Sequence, residues 1–439
     1  MAGDLPPAGR PRASLTRVAA RLTTPLAYLA VLGGLQVLLL WTLRDHVGVW
    51  VAAASTAGVL VLLGLLVFVE GRGRLKLICA GALGALTAIG PTLYGVVERT
   101  RVGLTMEHDG LLQIESAIDR LLNRQPIYGV DWSTTPMARI SWDVTAGPNP
   151  ALHHLAYFPL TVLVGVPFRV LTHALGLPFD YRIVLIGFTI VGLLAIVALP
   201  IAPDRRVMVI TALFVSPLVT LYLWSGRTDI EFLALVLLSL ALLSRGHPIP
   251  AAAALGIALA LKPFAALAVP FLLLVLVIRW RAQRSLPEVA LSLAALSLAP
   301  LVTILPFFIA NPQAFWTDVV LYTSGGIRDA YPIVGYGFGE FLYRVHLVAH
   351  RTDSVPFGVF QLLALVPVVW ITGRAFLRRP SLGRWMAGYV LSLLAFTFFA
   401  RFFNDNYVAV VITLLLCVRP LGDRRVAQAP ARQAVRLAA

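Results

Sequence analysis

The chain has 439 residues, 59% of them hydrophobic and only 13% charged, with a net charge of +15 and a mean hydropathy of +0.83. Soluble domains carry about 25% charged residues, so a soluble fold, which could not hide this much apolar surface, is excluded. The basic residues lie in short connections between apolar runs, with no basic patch interleaved with aromatics. That argues against nucleic acid as a partner and marks them as topology signals.

Residues 1–23 are polar and rich in Pro and Arg, and read as a cytoplasmic tail. A membrane-spanning helix needs about 20 apolar residues. Candidate spans follow at 24–43, 49–69, 77–97, 155–175, 182–200, 207–224, 228–244, 248–261, 264–280, 287–309, 356–373, 385–400 and 404–418. The expected fold is therefore an all-α polytopic membrane protein of about 12–13 transmembrane helices, multi-pass in the cell membrane. Basic clusters at Arg72–Lys76, Arg279–Arg284, Arg374–Arg384 and Arg419–Arg425 should be cytoplasmic, as should both termini. Loops 98–153 and 310–355 then fall outside, and 419–439 forms a cytoplasmic tail. Thirteen crossings would place the basic C-terminal tail outside, so one candidate does not cross or two are one. The segment 248–280, broken at Lys262-Pro263, is the first suspect, and the side of the connection around Arg227 is equally open. Cys79 and Cys417 sit inside apolar runs and build neither a disulfide framework nor a zinc site.

Loop 98–153 holds Glu98, Glu107, Asp109, Glu115, Asp119, Asp131 and Asp143, a third of the 21 acids. Within it Leu111, Ile114, Ile118, Leu121 and Leu122 recur at helical spacing with polar residues between, the pattern of an amphipathic helix at the membrane interface. Asp109 at its start reads as a helix N-cap or as a carboxylate placed to act as a base; a cap would itself fix the carboxylate. The turn Gln125-Pro126-Ile127-Tyr128 follows. Then His153 and His154 lead into the next span with Tyr157 and Pro159. Adjacent histidines point to different faces and do not chelate one metal, but suit phosphate binding or proton transfer.

This order resembles the first loop of the GT-C superfamily of integral membrane glycosyltransferases: an acidic residue after the first core span, a juxtamembrane helix, then a Pro-Tyr turn. Here Asn123-Arg124 stands where Gly is common and Ile127 separates Pro126 from Tyr128. Leu155–Pro159 resembles the entry to the second core span. Ser225–Asp229 and Leu261-Lys262-Pro263 resemble elements of the polyprenol-phosphate-sugar-dependent, mannosyltransferase-like branch. The resemblance covers 77–418, and 24–76, with two helices, looks like an addition. It implies a GT-C-like core that moves a sugar, a hexose such as mannose, from a polyprenyl-phosphate donor to a hydroxyl of a glycolipid or glycan acceptor. No tightly bound cofactor or metal is expected, a loosely held divalent cation being compatible.

Asp109 is the expected general base and Glu107 its reserve. Ionisable groups inside apolar sequence are costly and usually functional. Arg227 with Asp229, and Lys262 flanked by apolar residues on both sides, are candidates for phosphate contact; a local Arg–Asp pair at the interface is the plainer reading of the first two. Arg328 and Tyr331 in loop 310–355, and Arg401, Asn404 and Asp405 in a late polar knot, join His153, His154 and Tyr157 as expected substrate-binding residues. For the loop the plainer reading is turn chemistry, and for the knot it is satisfied helix ends. A transporter or lipid flippase also needs intramembrane charge, but predicts internal repeats, and none is visible. A non-catalytic assembly protein is the third reading.

Overall fold

The computed structural model describes residues 24–140 and 149–426. Asp143 and the two tails lie outside these. The principal helices are α1 Pro25–Thr42, α2 Val49–Phe68, α3 Gly73–Val102, α4 Asp109–Leu122, α5 Pro159–Ala174, α6 Arg182–Ala198, α7 Pro203–Phe214, α8 Pro217–Trp224, α9 Asp229–Ser244, α10 Pro248–Leu261, α11 Pro263–Gln283, α12 Leu286–Ala310, α13 Phe357–Arg378, α14 Leu382–Phe398 and α15 Asp405–Leu421. Every candidate span has its helix. Six, α1, α2, α3, α11, α12 and α13, are long and apolar enough to cross a membrane alone, and α7 with α8 forms a further span bent by 44°. The bend has a cause: Pro217 has no N–H for the Leu213 carbonyl, Leu218 N donates to Ser216 Oγ at 3.2 Å rather than to the Phe214 carbonyl, and that carbonyl accepts instead from the Thr87 hydroxyl of α3.

The shorter helices sit in the middle of the bundle. In α9 nearly every residue from Asp229 to Leu243 is buried, whereas α12 buries only Ser292 and Leu296 and α13 only Phe357, Gly373 and Phe376. Each packs along one neighbour, α12 on α10 and α13 on α14, and leaves its other apolar faces uncovered, which fits lipid as their solvent. Segment 24–68 is tied into the same bundle by polar bonds: Tyr28 Oη donates to the Leu416 carbonyl at 2.6 Å and Thr220 Oγ1 to Gln36 Oε1 at 3.0 Å.

The contacts of the helix ends show how the chain runs from one end of the bundle to the other. At one end Arg245 Nε donates to the Ala198 carbonyl at 2.7 Å, Leu382 N to the Arg424 carbonyl at 2.8 Å, and Arg279 pairs with Glu288 at 2.8 Å. At the other, Lys262 meets Asp229, Arg227 meets Asp405, and Arg182 meets the Gly95 carbonyl. Lys262, extended at φ −149° and ψ 131°, is therefore a hairpin tip between α10 and α11, both of which cross. The segment that turns back is α5. Just before it the Ala151 and His154 carbonyls accept from Gln113 of α4. Within and after it, Arg169 pairs with Asp119 at 2.7 Å and Tyr181 N donates to Glu115 at 2.8 Å, both on α4 again. With α5 turning back, the described residues run twelve times between the two ends of the bundle, and the first and last described residues lie at the same end. The suspicion against 248–280 is thereby corrected. Proline at the start of α5 and the glycine at Gly165 favour a short broken helix over a continuous span.

The two ends differ in charge. The end bearing Arg72–Lys76, Arg279–Arg284, Arg374–Arg384 and Arg419–Arg425 carries, among the described residues, only Glu70, Asp204, Glu288 and Asp423 as acids. The other end gathers nearly all remaining carboxylates and the two large loops. There a two-residue parallel pair, β1 Val334–Gly335 with β2 Phe402–Phe403, joins loop 311–356 to the α14–α15 connection.

Candidate functional site

The amphipathic helix forms as α4. Its first two turns, Asp109 to Ile114, are buried beneath α5 and the 130–140 segment rather than open to the surface. The cap is His108, extended at φ −73° and ψ 143°, and Asp109 is the first helical residue; the N-cap reading of Asp109 is corrected accordingly. Asp109 Oδ1 accepts from Gly110 N at 2.7 Å and lies 2.9 Å from His108 Nδ1, while Oδ2 accepts from Asn149 Nδ2 at 2.6 Å. Nδ1 of His108 also faces Gly110 N at 3.1 Å, from which it accepts as the helix cap, so its tautomer decides whether it serves the cap or donates to Oδ1. Oδ2 has one donor and keeps a lone pair. Burial pushes the carboxyl up, but His108 beside it and the amide donors of Asn149 and Gly110 outweigh burial and hold it well below the ordinary range. Asp109 is an anion at any neutral pH.

Tyr157 closes over this carboxylate. Its hydroxyl rests where a Cβ on residue 110 would come within 1.9 Å, so Gly110 is required for the approach. Burial first, then the charges of Asp109 and Asp229, push the phenol well above its usual range. Tyr157 therefore sits within the field of both. The backbone makes the same connection: His108 N donates to the Ser225 carbonyl at 2.8 Å, joining the Asp109 segment to Ser225–Asp229.

Beyond that joint lie two ion pairs. Lys262 Nζ is 2.5 Å from Asp229 Oδ1, Asn406 Nδ2 donates to Oδ2 at 2.6 Å, and Arg227 Nη1 is 2.8 Å from Asp405 Oδ1. The rings of Phe232, Phe264 and Tyr407 stand 5.8, 5.8 and 5.7 Å from Nζ, a cation–π enclosure that holds an ammonium at the end of an apolar hairpin. Both cations keep part of their surface open, 16% for Lys262 and 23% for Arg227. Asn404 Nδ2 donates to the Tyr331 hydroxyl at 3.1 Å, and the Tyr331 ring lies 4.4 Å from Phe402.

On the other flank His154 is held between two carboxylates, Nδ1 to Asp318 and Nε2 to Asp329, each at 2.9 Å, with Tyr322 against its face at 4.6 Å. Burial lowers its basicity, but both carboxylates more than reverse this and raise its pKa. Gly129 N, at the end of the Pro126–Tyr128 turn, also donates to Asp318, at 2.8 Å. His153 is exposed, 3.5 Å from Asp131.

Three expected residues stand apart. Both oxygens of Glu107 are engaged, by Arg182 Nη2 at 2.9 Å and Thr105 N at 2.5 Å, within a buried network that also contains Asp180, Arg99 and Glu115. That network fastens α4 to α3 and α6. Arg401 is buried and gives its guanidinium to the carbonyls of Tyr331, Asp353 and Arg351. Gly325, at φ +89°, makes room for it, since a Cβ there would lie 2.2 Å from Nη1. Burial lowers its pKa to about 10, so it remains a cation, but it organises loop 311–356 rather than facing Asp109. Arg328 is exposed and makes no hydrogen bond or ion pair among the described residues.

Asn149, Arg182, Asp180 and Asp318 emerge only from the structure as the residues that hold the site together. Asp180 and Arg182 had a visible signal, a charged pair opening an apolar run. Among the described residues no group of three or more His, Cys, Asp or Glu is arranged to hold a metal ion.

The carboxylate of Asp109 and the partly open cations Lys262 and Arg227 lie toward the same end of an apolar bundle. Residues 155–399, more than half of the chain, match the model of Glycosyltransferase family 87, and the chain belongs to that family. The matched stretch includes Tyr157, Arg227, Asp229 and Lys262. It begins after His154 and ends before Arg401, so Asp109 lies outside it. No curated protein and no solved structure matches the chain.

Proposed function

We propose that the protein transfers a hexose, such as mannose, from a polyprenyl-phosphate donor to a hydroxyl of a glycolipid or glycan, on the outer face of the membrane. Asp109 is the general base. The acceptor oxygen attacks the anomeric carbon as its proton passes to Asp109 Oδ2. The anomeric carbon–oxygen bond breaks and its electron pair stays with the departing lipid phosphate. Lys262 and Arg227 stand where that phosphate gathers charge and stabilise it electrostatically. Asp229 and Asp405 keep these two cations in place before the phosphate arrives. His108 and Asn149 fix the carboxylate so that its free lone pair, rather than either bonded edge, meets the hydroxyl.

The observation that carries this reading is the joint at His108 and Ser225, which sets the segment carrying Asp109 against the segment carrying Arg227 and Asp229, the partner of Lys262. The outward placement follows from charge: the opposite end is rich in Lys and Arg in short connections and poor in carboxylates. The test reconstitutes the purified protein in vesicles with polyprenyl-phosphate mannose and polyprenyl-phosphate glucose in turn, using extracted membrane glycolipids as acceptors. Transfer from at least one is expected. Transfer from a nucleotide sugar alone, with none from either lipid donor, would overturn the reading.

A further inference from the structure

A cavity of about 440 Å³ opens at the same end of the bundle, lined in part by Asp131, His153, His154, Asn311, Gln313 and Thr317. Its floor is fixed: Asp318 is buried, bonded to His154 and to Gly129 N, and His154 is stacked on Tyr322. Its walls are not spent. The side chains of Asp131 and His153 are 63% and 53% exposed, and the Gln313 amide makes no hydrogen bond among the described residues. No lysine or arginine lines the cavity among the described residues.

The site end is thus polarised about Asp109. On one side, across the His108–Ser225 bond, stand the cations Lys262 and Arg227. On the other, the segment 149–154 carries Asn149, bonded to Asp109, and five residues later His154, the floor of the cavity. A phosphate would be repelled by Asp131 and Asp318 and drawn to the cations. Carboxylate, amide, imidazole and hydroxyl groups together offer acceptors and donors at short spacing, which matches the paired hydroxyls of an uncharged sugar ring. The volume falls in the range of small-ligand sites. Asn311 and Gln313 follow directly on α12, and Trp316 beside them is half exposed, which sets the mouth at the membrane boundary.

We infer that this cavity receives the uncharged, hydroxyl-rich glycan portion of the acceptor. The inference rests on the proposed transfer from a polyprenyl-phosphate sugar and names where its second substrate lies. The lipid phosphate and the acceptor glycan are then sorted to opposite sides of Asp109 by charge alone.

The test uses the full-length protein in vesicles with polyprenyl-phosphate mannose and extracted membrane glycolipids, reading both transfer to glycolipid and hydrolysis of the donor to free sugar. Gln313→Trp fills the cavity from an exposed position. It should cut transfer at least about tenfold, the worth of one or two neutral hydrogen bonds lost as the glycan is excluded, while donor hydrolysis stays at the wild-type rate. Asp131→Asn, which keeps the side chain's shape, should raise the glycolipid concentration for half-maximal transfer by roughly tenfold and leave the donor requirement unchanged. Wild-type transfer and wild-type glycolipid requirement in these variants would overturn the inference while leaving the enzyme's activity established. Absence of both transfer and hydrolysis in the unmodified protein would instead remove the parent reading.

Discussion

Replacing Lys262 by methionine takes the ammonium from Asp229 Oδ1, 2.5 Å away, and leaves a carboxylate whose side chain is only 5% exposed. Removing one partner of a buried ion pair costs about 3–5 kcal/mol, because the remaining charge is stranded. Asp229 keeps the Asn406 amide at 2.6 Å, which offsets part of the loss. Methionine also keeps the apolar stem packed among Phe232, Phe264 and Tyr407. The lower figure, about 3 kcal/mol, is therefore expected. Adding Asp229→Asn removes the stranded charge, and the D229N/K262M double variant should recover to within about 1 kcal/mol of the unmodified protein, as neutral replacements of buried pairs do. Thermal unfolding in a fixed detergent, alongside transfer from a polyprenyl-phosphate sugar, measures both quantities. The single variant should be unstable and inactive, the double variant stable and still inactive, because the cation facing the phosphate is missing from both. Near-wild-type transfer by the double variant would show that Lys262 serves only to neutralise Asp229. An undiminished unfolding temperature for K262M would refute the energetic argument itself.

Other outcomes follow from the same contacts. His154 has its pKa raised in the folded state by Asp318 and Asp329. Its stabilisation is fully present below the unfolded value of about 6.5 and is lost as pH rises through the higher folded value. The stability gap between the unmodified protein and His154→Gln should accordingly be larger at pH 6 than at pH 9 in unfolding scans. Arg182→Met strands the charge of Glu107, while Asp180 keeps Arg99 at 3.1 Å, and should destabilise by about 3 kcal/mol, read in the same scans. Arg401→Met and Arg328→Ala should separate: the first takes the guanidinium from three part-buried carbonyls, of which that of Arg351 keeps another donor, Ile333 N, and destabilises by a few kcal/mol. The second, at an exposed side chain, stays within about 0.5 kcal/mol.

Helices were legible in the sequence because apolar runs in lipid need no tertiary partner to declare themselves, and each expected span has its counterpart. The exception, α5, is as apolar as its neighbours. What turns it back is the hold of Gln113, Glu115 and Asp119 on both its flanks, a long-range arrangement that no window of sequence contains. The acidic loop could be read as functional because charge there stands out against a basic chain. The roles of its members could not be separated, since Glu107 and Asp109 look alike in sequence. They differ only through Arg182, 75 residues from Glu107, and through Asn149. Arg401 illustrates the same limit. A lone arginine between apolar runs signals an important charge, but whether it meets a ligand or three backbone carbonyls depends on how loop 311–356 folds over it.

The central claim, that Asp109 takes the acceptor's proton, is tested most directly by Asp109→Asn. The amide keeps an oxygen for Gly110 N–H and nearly the same volume but cannot accept a proton. The variant should fold and bind the lipid donor, while transfer falls by about 10²–10⁴-fold, the usual worth of a general base. Transfer at the wild-type rate by a folded D109N protein would contradict the account.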